Sequence, residues 1–145
     1  MNTPLVDLKK QNGVAILTLN RPEKFNCLSL AVHKSIEEIV IALKADNDVR
    51  CILICASGKN FCTGADLEEV KGLRDSQEKL KDFIGQGNGA LALLENNELP
   101  VVVAVQGLAL AGGLELVLAT DIVFAAESAK LGDQHSHFGL IPGWG

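Results

Sequence analysis

Apolar and polar residues alternate from Leu5 to Lys9 and again from Val14 to Leu19, on either side of Gln11-Asn12-Gly13. Period-two alternation predicts two strands, and Asn-Gly supplies the turn of a β-hairpin. The period then changes. Val32, Ile36, Ile39, Val40 and Leu43 recur at helical spacing, so residues 30–45 are predicted to form an amphipathic helix with Ser29 as its N-cap. His33 lies on that helix and is expected at its surface or boundary, since no residue at i±4 could share a metal with it. Asp46-Asn47-Asp48 ends the helix, and Cys51 to Ala56 reads as a buried strand. Strand, helix and strand in this order make a βαβ unit and imply parallel pairing.

A loop from Ser57 to Asp66 follows, then a short helix from about Leu67. Residues 76–97 read as mostly helical, interrupted by Gly85, Gly87 and Gly89. That G-x-G-x-G string fails as a nucleotide motif because no strand precedes it; close helix packing or a kink explains it better. Val101–Val105 and Ile122–Ala126 read as buried strands, and Ala129–Gly132 as a short one. The tail from Asp133 to Gly145 is rich in turn residues.

Between the last two long strands lies the segment Leu108–Asp121. Gly112 and Gly113 stand where the chain enters a helix, and Glu115 is the one charged residue from Leu108 to Thr120. Paired glycines there let a ligand approach the backbone, and first-turn N–H groups are left free to meet it. Gly64-Ala65-Asp66 has the same setting: it follows a strand and opens a helix. Such loops gather at one end of a parallel sheet, where two N–H groups aimed at one point could stabilise an oxyanion. Taken alone, Gly112-Gly113 reads better as a tight, closely packed turn, and Glu115 as a capping or ion-pairing carboxylate; it is the pairing with the Gly64-Ala65-Asp66 loop and the resemblance given below that favour a site.

Composition narrows the classes. The 145 residues are 48% hydrophobic and 21% charged, enough for one globular domain over 1–145. The net charge of −5 is spread along the chain, and the absence of a basic stripe argues against a nucleic-acid surface. No apolar run reaches membrane-spanning length. Met1-Asn2-Thr3-Pro4 has neither a basic nor an apolar leader region, so no signal peptide is expected. Cys27, Cys51, Cys55 and Cys62 are accordingly read as reduced thiols of a cytoplasmic protein.

Four pieces in order now carry a resemblance: Leu19-Asn20-Arg21-Pro22-Glu23-Lys24-Phe25-Asn26, Asn60-Phe61-Cys62-Thr63-Gly64-Ala65-Asp66-Leu67, Pro100 through Asp121, and Phe138-Gly139-Leu140-Ile141-Pro142-Gly143. The chain resembles the crotonase, or enoyl-CoA hydratase/isomerase, superfamily over essentially its whole length. The resemblance implies an α/β fold, a spiral of ββα units with a mainly parallel sheet, lacking the C-terminal helical part that completes the acyl pocket and much of the trimer contact in the family. It implies an acyl-CoA thioester as ligand, with coenzyme A as part of the substrate and no separate cofactor, and a homo-oligomer, trimer or hexamer.

By the same resemblance, the N–H groups of Ala65 and Gly112 would form the oxyanion hole. Ala65, Asp66, Leu67 and Glu68 would line the acyl and pantetheine path, and Lys24 and Phe25 would lie near the adenosine end. Glu115 matches the first of the hydratases' two catalytic glutamates. The second maps onto His135, a departure: histidine trades protons near neutrality but is shaped differently and can carry positive charge. Asp133, His135 and His137 also raise a metal reading, although two histidines alone seldom make a site. Two functions follow. One is a lyase that hydrates a 2-enoyl-CoA, or runs an isomerisation or related reaction, through a stabilised enolate. The other is a protein that keeps the fold and binds CoA esters or assembles with other subunits without turnover.

Overall fold

The computed structural model describes residues 3–145; the Met1-Asn2 start used in the leader reading lies outside them. Strands β1 (Val6–Gln11) and β2 (Val14–Leu19) form the expected antiparallel hairpin, with Asn12 and Gly13 both at positive φ in its turn. Helix α1 (Leu30–Lys44) is capped by Ser29, whose side chain accepts from the Val32 N–H. It leads into β3 (Cys51–Ala56), which pairs with β2 in parallel from Val14–Cys51 to Leu19–Ala56. Helices α2 (Leu67–Leu73) and α3 (Gln77–Glu95) precede β4 (Val101–Val105). Then come β5 (Leu108–Leu110), α4 (Gly112–Leu118), β6 (Ile122–Ala125), β7 (Lys130–Gly132) and a single 3-10 turn at His135–Phe138.

Five strands form one sheet in the order β1-β2-β3-β4-β6, parallel from β2 onward, and β5 pairs with β7 in a second, two-stranded sheet. Leu17, Leu19, Ile52, Ile54, Val101 and Val103 join Ile36, Val40 and Leu43 of α1 and Phe83, Leu91 and Leu94 of α3 in one core. Because β2, β3 and β4 run parallel, the loops that follow them leave the same edge of the sheet.

Three expectations change. His33 is not at the surface: it is 0% exposed, on the face that α1 turns inward with Ile36 and Val40. Helix α3 runs without interruption through its glycines, and among the described residues Gly87 alone of these is in close contact, against Trp144. Strand β6 forms where expected, at an edge of the sheet, but all four of its residues are exposed, because none of the described helices packs broadly over it.

Candidate active site

The loop after β3 and the segment after β4 are stitched together by backbone hydrogen bonds. Phe61 N–H donates to Gln106 O (2.9 Å), Cys62 N–H to Leu108 O (3.0 Å), and Leu110 N–H back to Cys62 O (3.0 Å). Ala65 bridges in parallel to Leu28, which donates to Gly64 O (2.8 Å) and accepts from Asp66 N–H (2.9 Å). In a parallel bridge of this kind the N–H of the middle residue points away from its partner. The Ala65 N–H therefore faces away from Leu28. Gly112 begins α4, where first-turn N–H groups lack intrahelical acceptors. Neither the Ala65 nor the Gly112 N–H finds an acceptor among the described residues.

The two turns touch. A β-carbon on Gly64 would fall 3.0 Å from the Gly112 nitrogen, and one on Gly112 would fall 3.3 Å from Gly64 Cα. Gly64 takes φ +99, where glycine is the natural occupant. Gly112 and Gly113 have no positive φ, so the sequence expectation of conformational freedom there is corrected to one of space. A β-carbon on Gly113 would lie 2.2 Å from the Cys62 carbonyl oxygen, and one on Gly112 2.3 Å from Trp144 Cζ3. The strained residue is Ala111, at φ 49 and ψ −121. Its carbonyl accepts from both Leu114 N–H (2.8 Å) and Glu115 N–H (3.0 Å), which closes the first turn and leaves the Gly112 N–H outside it.

Glu115 is 5% exposed and its two carboxylate oxygens have separate tasks. Oε1 accepts from the backbone N–H groups of Trp144 (2.7 Å) and Gly145 (3.1 Å), while Oε2 lies 3.2 Å from His135 Nε2. His135 Nδ1 is 2.5 Å from Asp133 Oδ1, and that same oxygen accepts the His135 backbone N–H at 3.0 Å. That backbone contact, followed by the imidazole, holds the Asp133 carboxyl below its ordinary range. These residues border a cleft of about 150 Å³ together with Ala111, Leu114 and Leu118. A larger cleft of about 320 Å³ lies by the hairpin turn, at the opposite end of the parallel strands, between Lys10 and Asp48. His137 does not join the group: its Nδ1 meets Gln134 Oε1 at 2.7 Å. Among the described residues no three His, Cys, Asp or Glu side chains are grouped to hold a metal.

The remaining predicted residues rim the loop after β2 and the start of α2. Lys24 forms an ion pair with Glu68, which raises the lysine pKa through that hydrogen bond; both side chains are exposed. Phe25 and Leu67 are about half exposed beside them. Asp66 is buried, and its carboxylate caps α2 through Glu68 and Glu69 N–H while pairing with Arg21 at 3.0 Å. Burial alone would raise its pKa, but the Arg21 and Glu69 hydrogen bonds outweigh it and hold the carboxyl low. Burial likewise pushes the Cys27 and Cys62 thiols up to about 11 and about 12, which makes both inert at neutral pH.

Sequence reasoning missed several contributors. Asn26 is 2% exposed, accepts from Arg21 N–H (2.8 Å) and donates to Ser57 O and Asn60 O (2.9 Å each), locking the loop after β2 onto the loop after β3. Its position inside Asn20–Asn26, an otherwise exposed turn, gave no sign of that burial. Trp144 belongs to the turn-rich tail in sequence, yet a lone tryptophan in a Gly-Pro-rich turn is a candidate plug, and here it is buried against His33, Phe83 and Gly87.

With this geometry in place, comparison with known proteins gives a consistent result. The family model described as enoyl-CoA hydratase/isomerase matches residues 9–145. A probable enoyl-CoA hydratase of Rhizobium meliloti (strain 1021) is 36% identical over 138 residues, covering 95% of this chain and 52% of that protein. The mouse mitochondrial methylglutaconyl-CoA hydratase is 39% identical over 140 residues, covering 95% of this chain and 44% of its own. The crystal structure of an enoyl-CoA hydratase from Bacillus anthracis superposes with a TM-score of 0.92 at 33% identity, over 97% of this chain and 54% of that one. The chain belongs to the enoyl-CoA hydratase/isomerase family. It spans about half the length of the curated relatives it matches. Among the described residues, no helix is long and apolar enough to cross a membrane.

Proposed function

We propose that this protein hydrates a 2-enoyl-CoA thioester through an oxyanion-stabilised enolate. The observation that carries the reading is the pair of acceptor-free N–H groups, Ala65 and Gly112, on two turns in contact beside the buried carboxylate of Glu115. Water adding to the β-carbon drives negative charge onto the thioester oxygen. Donors already oriented toward that oxygen stabilise it without reorganising, and one such donor is worth about 3 kcal/mol of the barrier. Glu115 exchanges the proton, held in place by the Trp144 and Gly145 N–H groups, and His135 serves as the second acid–base group.

Coenzyme A enters as part of the substrate and no other cofactor is invoked. Its pantetheine arm would pass Ala65 to Glu68, with Lys24 and Phe25 toward the adenosine end. Asp66 contributes through its backbone, because its side chain is committed to Arg21 and the α2 cap. We read the protein as a cytoplasmic homo-oligomer, a trimer or hexamer. The apolar residues of β6, with Phe124 67% exposed and Ile122 48% exposed, support a second copy as neighbour.

The test is turnover on a panel of acyl-CoA esters, with hydration of short 2-enoyl-CoA thioesters expected first. Binding of those esters without hydration, isomerisation or exchange of the α-proton would favour the turnover-free alternative.

A further inference from the structure

Asp133 belongs to none of the roles above, and its geometry is unusual. One carboxylate oxygen receives both the backbone N–H and the ring Nδ1 of the residue two positions on. The imidazole is thus fixed relative to its own backbone, and the opposite ring nitrogen is aimed at Glu115 Oε2. We propose that Asp133 is a positioning residue that sets the tautomer of His135, so that Nε2 and Glu115 Oε2 exchange one proton as a unit. The inference rests on the hydratase reading for its use, but not for its geometry.

Neutral imidazole has one N–H and one lone-pair nitrogen. The Nδ1 contact to Asp133 is the shorter, 2.5 Å against 3.2 Å at Nε2, so in the neutral ring the proton sits on Nδ1 and Nε2 presents its lone pair to Glu115 once Oε2 is protonated. A proton taken up by Glu115 Oε2 can then pass to Nε2: the O–H bond breaks, the N–H bond forms, and the resulting imidazolium lies between two carboxylates, donating to each. The reverse transfer returns the proton to Oε2. With the other tautomer, Nε2 would already carry hydrogen and could take nothing from Glu115. Glu115 and Asp133 are the titratable groups that contact the ring; His137, close enough to act on Asp133, is turned to Gln134. The array places a histidine where the resemblance expects a glutamate, and Asp133 makes that exchange chemically usable.

The test compares the wild type with Asp133→Ala and Asp133→Asn, each labelled with ¹⁵N-histidine. Asparagine keeps an oxygen acceptor for Nδ1–H, whereas alanine removes it. The wild type and Asp133→Asn are expected to show His135 in the Nδ1–H form, and Asp133→Ala a mixture shifted to Nε2–H. On the active ester, Asp133→Ala should lower kcat roughly 10- to 100-fold, short of the 10²–10⁴ attached to a whole acid–base group. KM should stay near wild type, and Asp133→Asn should recover part of the rate. An unchanged tautomer in Asp133→Ala overturns the proposal, as does a changed tautomer with unchanged kcat. A tautomer shift in a protein that turns over no enoyl-CoA supports the positioning role and removes the hydratase reading instead.

Discussion

Gly113 and Cys62 meet with no room for a side chain between them: a β-carbon on Gly113 would fall 2.2 Å from the Cys62 carbonyl oxygen. That carbonyl is already hydrogen-bonded to Leu110 N–H at 3.0 Å, within the cross-pairing that ties the loop after β3 to β5. The spacing of the Gly64–Ala65 and Gly112–Gly113 turns is therefore set by a backbone contact and not by flexible side chains. Gly113→Ala is expected to destabilise the protein by about 1–3 kcal/mol or more, because the obstacle is backbone. Gly85→Ala has open space around it and should stabilise by roughly 0.5–1 kcal/mol through helix propensity. Urea denaturation of the two variants reads both signs, and equal effects would remove the packing explanation.

Ala111 carries the strain of the turn that presents Gly112. At φ 49 and ψ −121 its β-carbon is in a region that suits glycine. An alanine-to-glycine change ordinarily costs about 0.4–1 kcal/mol through the unfolded chain. Here release of strain opposes that cost, so Ala111→Gly is expected to be neutral or stabilising in the same denaturation measurement. A loss of the ordinary size would show that the turn is relaxed.

Local pattern made much of this fold legible. The hairpin, α1, β3 and β4 follow from periodicity and turn chemistry within a few residues, and the Gly64–Asp66 and Gly112–Glu115 loops stood out because each follows a strand and opens a helix. What escaped was set by distant partners. Strand β5 has three residues and exists through β7 and Cys62. Ala111 carries no sequence mark of positive φ. The resemblance puts Glu115 and His135 in one site and the Asp133–His135 spacing suggests a metal, but that Asp133 and Glu115 take opposite nitrogens of one ring depends on the folded turn. His33 shares its face with Ile36 and Val40, so its burial was readable; its polarity hid it.

Glu115→Gln separates chemistry from structure. A glutamine oxygen can still accept from the Trp144 and Gly145 N–H groups, so folding and acyl-CoA binding should persist. Proton exchange cannot, and kcat should fall by roughly 10²–10⁴. Glu115→Ala removes the acceptor as well and should also lower stability, by about 1–3 kcal/mol for two unsatisfied donors. Calorimetric binding of a substrate analogue alongside kcat distinguishes the two variants; full turnover in Glu115→Gln would take this residue out of the mechanism.

Lys24 and Glu68 hold each other across the gap between the two loops, at the place assigned to the adenosine end of coenzyme A. A phosphate reaching Lys24 must compete with that carboxylate. Glu68→Gln is expected to tighten binding of free CoA by roughly two- to fivefold, the scale of an exposed ion pair, and Lys24→Ala to weaken it by a similar factor. Both effects should shrink at high salt. Titration calorimetry at low and high ionic strength checks this, and salt-independent differences would move the phosphate contacts elsewhere.

His33 gives stability a pH dependence of predictable sign. It is fully buried, Trp144 meets its ring edge-on at 4.6 Å, and neither ring nitrogen has a hydrogen-bond partner among the described residues. Burial pushes its pKa down from 6.5 to about 4. Above pH 6.5 the imidazole is neutral in both folded and unfolded chains, and stability is at its full value. As pH falls below 6.5 the unfolded chain takes up a proton that the folded protein refuses, so stability declines until the folded form protonates too, near pH 4. The total loss is about 3 kcal/mol. The low-pKa carboxylates Asp46, Asp66 and Asp133 lose their contributions only below the ordinary value of 3.8, outside this window. His33→Phe keeps an aromatic ring against Trp144 and removes the titration. Urea midpoints measured from pH 7 to pH 4 should fall steeply in the wild type and stay nearly level in His33→Phe. Parallel curves for the two proteins would mean that His33 reaches solvent in the folded state and that another group carries the acid sensitivity.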